Sequence, residues 1–324
     1  MKILILRFSS IGDIVLTTPV ARCLRQQLGA EVHFLTKRAF APLLEPNPNV
    51  TRIFSLEKNL SSLLPDLRRE RYDWVLDLHH NLRSARVKWA LGRPSRSFDK
   101  LNLEKWLLVH TGLDRLPDHH IVHRYMATVG HLGVRYDGQG LDYFIPPAEE
   151  VDLPALAPGL RAGAYVAFAI GAAHATKRLP AVKIAEVCRH LGTPVVLLGG
   201  RAEMAAGAQI AATAGPHVLD LCGRLTLHQS ASVVRQAGKV AAHDTGLMHI
   251  AAAFGKPVIS LWGNTVPRFG MYPFYPDGVT GEARFEVLGL SCRPCSKIGH
   301  ESCPKGHFRC MNDLDTAAIA QSLK

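Results

Sequence analysis

Aromatic side chains make up only 7% of the chain and charged ones only 20%. The first scarcity weighs against nucleic-acid binding, and no RNA-recognition, helix-turn-helix or finger signature makes up for it. The second, beside a hydrophobic fraction of 47%, excludes a disordered chain and describes a packed globular one. No run approaches the roughly 20 uninterrupted apolar residues of a membrane span. The apolar start Lys2–Phe8 is too short for a signal-peptide core and meets no small-residue cleavage site, so the expected location is the cytoplasm. Acids are the scarcer sign: 27 Asp and Glu against 38 Lys and Arg give +11, which suits polyanionic partners. The surplus gathers where Arg83, Arg86, Lys88, Arg93, Arg96, Lys100 and Lys105 meet only Asp99 and Glu104. A plain solvated helix face explains that run as well.

At 324 residues the chain exceeds what one core usually serves, and two domains of about 150 residues are expected. Short apolar strands alternate with amphipathic helices in two successive series, the α/β pattern of parallel sheets covered on both faces. Strands are expected at Lys2–Phe8, Glu31–Thr36, Thr51–Leu56 and Tyr72–Leu78, then at Tyr165–Ile170, Pro194–Leu198, His217–Leu221, Lys239–Ala242 and Pro257–Leu261. Between the series, Tyr136–Ala164 carries Pro146, Pro147, Pro154 and Pro158 and reads as a linker. The expected domains are 1–155 and 156–324, two doubly wound units facing a cleft in which ligands bind at the strands' carboxyl ends.

Three strand-to-loop transitions carry chemistry. At His243-Asp-Thr-Gly-Leu-Met-His249 a polar turn opens directly into a small-residue helix. Asp244 and Thr245 are cap residues, Gly246 lets a ligand approach, and the amides of Thr245, Gly246 and Leu247 at a positive helix end suit a diphosphate. His249 could add a hydrogen bond. A capped helix with a core histidine is the plainer alternative. At 165–180, Gly171, Ala172 and Ala173 keep the loop narrow before Lys177 and Arg178, cations able to neutralise a departing diphosphate. It is not a Walker A loop, because the second glycine is missing. At 7–19, Ser9, Ser10 and Gly12 form a tight turn before Asp13, which is either a helix cap or a general base toward an acceptor hydroxyl. Pro19 should kink the following helix.

Cys23, Cys188 and Cys222 read as reduced core thiols. Cys292, Cys295, Cys303 and Cys310 form a Cys-x2-Cys-x7-Cys-x6-Cys pattern with His300 and His307 interspersed. They could close a structural zinc site, stand as unligated thiols or serve redox chemistry. Asp313-Leu-Asp315 resembles the metal-holding Asp-x-Asp of some sugar transferases, but at a helix start capping explains it better.

Taken together, Ser-Ser-Ile-Gly-Asp-Ile-Val-Leu-Thr-Thr-Pro (9–19), Thr-Lys-Arg-Leu-Pro (176–180) and His-Asp-Thr-Gly-Leu-Met-His (243–249) resemble glycosyltransferase family 9, the ADP-heptose:lipopolysaccharide heptosyltransferases. The cysteine-rich tail is also similar to that of many members. The resemblance implies a GT-B fold of two Rossmann-like domains, acceptor on the first and nucleotide sugar on the second, and inverting transfer needing no metal cofactor. It implies Asp13 as general base and Lys177 as the cation at the donor phosphates. Asp244, Thr245, Gly246, Leu247 and His249 would bind donor, and Ser10, Gly12, Arg83 and Arg86 would lie toward a lipid-linked anionic glycan acceptor. Ala172 and Ala173 stand where some members carry donor-contacting hydroxyls, a departure that bears on the donor's identity. Peripheral contact with the inner membrane would follow from such an acceptor. The alternatives are a family 9 enzyme with another donor or acceptor, a hydrolase or epimerase on the same scaffold, and a non-catalytic anionic-glycan-binding protein.

Overall fold

The structure, a computed structural model, describes residues Met1–Lys324. Contacts divide the chain into two compact units, Met1–Leu101 with His119–Phe144, and Asn102–Asp118 with Ile145–Lys324.

In the first unit the apolar runs become β1 (Lys2–Leu6), β2 (Glu31–Lys37), β3 (Arg52–Leu56) and β4 (Trp74–Asp77), with a short β5 (Ser95–Ser97). The order is β3-β2-β1-β4-β5, and every pairing is parallel. Parallel neighbours need crossovers. These contain α1 (Ile11–Val15), α2 (Thr18–Leu28), α3 (Leu64–Arg69) and α4 (Leu82–Leu91). The expected kinked helix around Pro19 is two helices: α1 ends at Val15, and α2 restarts with Pro19 in its first turn, where a missing N–H breaks no intrahelical bond. After β5, α5 (Asn102–Thr111) belongs to the second unit, and α6 (Ile121–Met126) returns to the first.

The second unit holds β6 (Val166–Ala169), β7 (Val195–Leu198), β8 (Val218–Asp220), β9 (Lys239–His243), β10 (Val258–Trp262) and β11 (Glu282–Glu286), all parallel in the order β11-β10-β9-β6-β7-β8. Its remaining helices are α7 (Leu153–Leu156), α8 (Ala181–Leu191), α9 (Met204–Ala214), α10 (Leu227–Gln236), α11 (Gly246–Ala253), α12 (Arg309–Asn312) and α13 (Thr316–Leu323). Asp315 caps α13 by accepting from the amides of Ala317 and Ala318, both at 3.0 Å, which is the job expected of the Asp313-Leu-Asp315 segment.

The proline-rich stretch is packed, and it divides near residue 145. On its first-unit side, Arg22, 3% exposed, pairs with Asp137 at 2.7 Å and Asp142 at 2.5 Å. On the other side Glu150 accepts from Ser232 at 2.8 Å and Arg235 at 2.6 Å, which ties 145–155 to the second unit. The segment 102–118, expected within the first domain, is held in the second by Arg268. That side chain donates to Asp114 Oδ2 at 2.5 Å and to the carbonyls of Leu116 and Pro117.

Strand order also says where a ligand should go. In each sheet the sequence of strands reverses once, between β1 and β4 and between β6 and β9. Ligands of open parallel sheets bind outside the carboxyl ends at such a reversal. The turns after β1, β6 and β9, which carry Asp13, Lys177 and Asp244, leave from those ends.

Candidate active site

In the first unit, Asp13 lies in the only turn of α1, and Ser10 is the residue before that helix. Ser10 donates to Asp13 Oδ2 from its amide at 3.1 Å and from its hydroxyl at 2.8 Å. The other carboxylate oxygen is 2.5 Å from Arg7 Nη2. Arg7 is 8% exposed and is aimed by three further acceptors: Ser9 O at 2.8 Å, Leu78 O at 2.5 Å and the Tyr125 hydroxyl at 3.0 Å. Burial pushes the Asp13 carboxyl up, but the Arg7 guanidinium and the two Ser10 hydrogen bonds outweigh it and hold the group below the usual carboxylate range.

In the general-base role that the resemblance implies, Asp13 must be ionised, and a depressed pKa keeps it so at every pH above it, so the acid limb of kcat/KM should lie below about pH 4, the ordinary aspartate value. In Arg7→Gln the burial effect remains and its counterweight is gone. The acid limb should then move upward, and a pH profile of the variant that overlays the wild type would remove Arg7 from this role.

His79 follows β4, its ring edge-on to Phe8 at 5.2 Å. Burial, with Arg7 and Lys100, pushes its imidazole down to about 4, so it is neutral at working pH. The Arg83 guanidinium lies 5.4 Å from the Phe8 ring and so belongs beside the Asp13 turn. Arg86 turns elsewhere, donating to Ser61 Oγ at 2.8 Å. Ser10 is exposed, whereas Gly12 is buried inside α1. Of the rest of the basic run, Lys88 pairs with the buried Asp77 at 3.0 Å, and Lys105, in the second unit, lies over the Phe269 ring at 5.8 Å.

In the second unit the loops after β6 and β9 meet. Lys177 Nζ is 2.6 Å from Asp244 Oδ2, which also accepts from Thr265 Oγ1 at 3.1 Å. The ammonium is thereby held in one place at the carboxyl ends of adjacent strands. Helix α11 begins at Gly246, and Thr245 before it is extended with no side-chain capping bond. The first amides of α11 thus have no side-chain cap, at the positive end of its dipole. Leu247 is half-buried beside them, and His249 lies one turn in, buried. His243 is fully buried and accepts from the Leu179 amide at 2.9 Å. Burial pushes it down to about 4, so it is a neutral brace between β9 and the Lys177 loop. Ala172 is half-buried and Ala173 exposed on that loop, each offering only backbone groups and a methyl.

The Lys177 loop has a second brace that sequence reasoning missed. Thr176 donates its amide to His300 O at 3.1 Å and accepts at its hydroxyl from the His300 amide at 2.8 Å. Gly263 is needed beside it: a Cβ there would stand 2.5 Å from Thr176 O. Arg293 joins the same region, donating to Gly263 O at 2.6 Å and Thr265 O at 3.0 Å. The cysteine-rich segment therefore buttresses the loop that carries Lys177. Cys292, Cys295, Cys303 and Cys310 are unpaired, and Cys292 Sγ lies 3.7 Å from His307 Nε2. The group of three donors whose ligand atoms fall within 4.8 Å of one another is elsewhere, Glu31, His33 and Glu70. There Lys2 already supplies the cation, 2.7 Å from Glu70 and 3.4 Å from Glu31.

Residues 60–299 match the sequence model of Glycosyltransferase family 9 (heptosyltransferase). The chain belongs to that family. Family 9 relatives align along most of its length. Lipopolysaccharide heptosyltransferase 2 of Escherichia coli K12 is 25% identical over 304 residues, 83% of this chain and 84% of that protein. Lipopolysaccharide heptosyltransferase 1 of Pseudomonas aeruginosa is 27% identical over 325 residues, 92% of this chain and 86% of that protein. The solved structure of the Escherichia coli ADP-heptose lipopolysaccharide heptosyltransferase II superposes with a TM-score of 0.70 at 22% identity, covering 100% of this chain and 99% of that one. The protein is thus a glycosyltransferase with the GT-B fold, as the sequence resemblance implied.

Proposed function

We propose that this family 9 enzyme moves a heptosyl residue from ADP-heptose to the lipopolysaccharide inner core, to a Kdo or heptose unit of a lipid-linked anionic acceptor, with inversion and with no metal in the reaction. The Lys177–Asp244 pair beside the uncapped start of α11 carries the reading. An ammonium and free helix amides are what a leaving diphosphate needs. Asp244 cannot accept from a phosphate; its remaining lone pairs suit a donor sugar hydroxyl, and its charge keeps Lys177 aimed. In the step itself an acceptor hydroxyl gives its proton to Asp13 and its oxygen bonds to the anomeric carbon. The bond from that carbon to the diphosphate breaks on the opposite face, and ADP takes the electron pair against Lys177 and the amides of Gly246 and Leu247. Arg83 would meet acceptor phosphates or carboxylates. The Escherichia coli relative named as an ADP-heptose enzyme supports this donor.

Mass spectrometry of a Kdo-bearing lipid A incubated with the enzyme and ADP-heptose tests the reading. The acceptor should gain one heptosyl residue. Free heptose with the acceptor unchanged would make the protein a hydrolase, and reaction only with another nucleotide sugar would change the donor.

We also propose that the four cysteines of the Cys-x2-Cys-x7-Cys-x6-Cys pattern hold a structural zinc ion that stiffens the segment behind His300. The donor set is soft, and the segment from Leu288 to Phe308 contains no regular helix or strand that could stabilise it otherwise. Elemental analysis of purified protein should find one zinc per chain, lost in a Cys292→Ser/Cys295→Ser variant; a metal-free wild type of full stability would show the thiols to be unligated.

No helix of the chain is long and apolar enough to cross a membrane. With a lipid-linked acceptor, the enzyme would work from the cytoplasm at the inner face of the inner membrane.

A further inference from the structure

Helix α4 turns one face into the first unit, where Ser84 and Val87 are buried. The opposite face carries Leu82, 92% exposed, and Trp89, 85% exposed. Residues seven apart on a helix share a face. Ala85 and Arg86 lie between them, and two exposed arginines follow, Arg93 in the turn beyond Gly92 and Arg96 on β5. Between Asp77 and Asp99 there is no acid. Lys88 is paired with Asp77, but Arg83, Arg86, Arg93 and Arg96 have no carboxylate partner.

Leaving a tryptophan and a leucine in water is unfavourable, and a row of unpaired arginines beside them repels itself. One environment suits both features: an apolar layer bounded by negative charge. We propose that the exposed face of α4, with the turn and β5 after it, is a docking surface for an anionic phospholipid bilayer, Trp89 and Leu82 entering the headgroup–acyl boundary and Arg93 and Arg96 meeting lipid phosphates. A second copy of the chain fits poorly, because a two-fold interface would set four arginines against the same four. A nucleic acid would use the arginines and stack on the indole, but it offers nothing to Leu82. The inference deepens the proposed reaction, since it would bring the enzyme to a lipid-linked acceptor, yet it stands on its own residues.

Vesicle sedimentation of the full-length protein tests it. Vesicles of phosphatidylcholine with phosphatidylglycerol should carry the protein down, and phosphatidylcholine alone should not. Leu82→Ser/Trp89→Ser should weaken partitioning at least about 10-fold, and Arg93→Gln/Arg96→Gln by about 5-fold per charge at low salt. Each variant should keep the wild-type melting temperature and its transfer rate to a delipidated, water-soluble acceptor, which separates a failure of docking from a failure of the proposed reaction. Wild-type protein that ignores both vesicle types, or a Leu82→Ser/Trp89→Ser variant that binds as wild type does, overturns the proposal. So does retention on single-stranded DNA, or a dimer, that depends on Trp89 while vesicles go unbound.

Discussion

Asp13→Asn should cut kcat for sugar transfer by about 100- to 10,000-fold, the usual worth of a positioned general base. Asparagine keeps the size of the side chain and can still accept from Ser10, so the turn at the end of β1 should survive. What it loses is the ability to take a proton and the ion pair with Arg7 at 2.5 Å. Arg7 is then a buried cation without its carboxylate, so some loss of stability is expected alongside the loss of rate. A melting curve separates the two: a variant folded at the assay temperature yet without turnover assigns the loss to chemistry. Wild-type turnover by folded Asp13→Asn would rule this residue out as the base.

Lys177→Met should lower kcat by about 100- to 1,000-fold, comparable to removing one preorganised donor from an oxyanion site. Two effects combine. The departing diphosphate loses its ammonium, and Asp244, no longer paired at 2.6 Å, presents an uncompensated carboxylate to it. The second effect is separable. In Lys177→Met/Asp244→Asn the repulsion is gone, so the double variant should lose less than the product of the two single losses, a coupling that steady-state kinetics on all four proteins measures. Multiplying losses would mean the two residues act independently, contrary to their geometry.

Much of this site could be read from the chain before its fold. Glycine and cap residues after short apolar runs marked the turns holding Asp13, Lys177 and Asp244, because such turns need those residues locally. Strand order could not be read that way, since β6 and β9 become neighbours only through pairing across 73 residues of sequence, Val166 against Lys239. The reversal that makes their shared end a candidate binding site is therefore a property of the sheet. β5 (Ser-Arg-Ser) and β11 (Glu-Ala-Arg-Phe-Glu) escaped because edge strands are short or charged, without the apolar run that marks an interior strand. Arg7 escaped for the opposite reason: a lone cation ending an apolar strand reads as a surface residue, and only the carbonyl of Leu78 and the hydroxyl of Tyr125, distant in sequence, bury it. The same holds for Thr176 and His300, paired across 124 residues. The cysteine pattern was visible, but its buttressing of the Lys177 loop was not.

The central claim is a division of labour, with the diphosphate held by Lys177 and the start of α11 and the proton taken by Asp13. Calorimetric titration of ADP into wild type, Asp13→Asn and Lys177→Met tests it most directly. Asp13→Asn should bind ADP with the wild-type Kd, and Lys177→Met should bind it at least about 10-fold more weakly, the cost of one charged hydrogen bond. Equal affinity in all three proteins, or a loss confined to Asp13→Asn, would contradict the account.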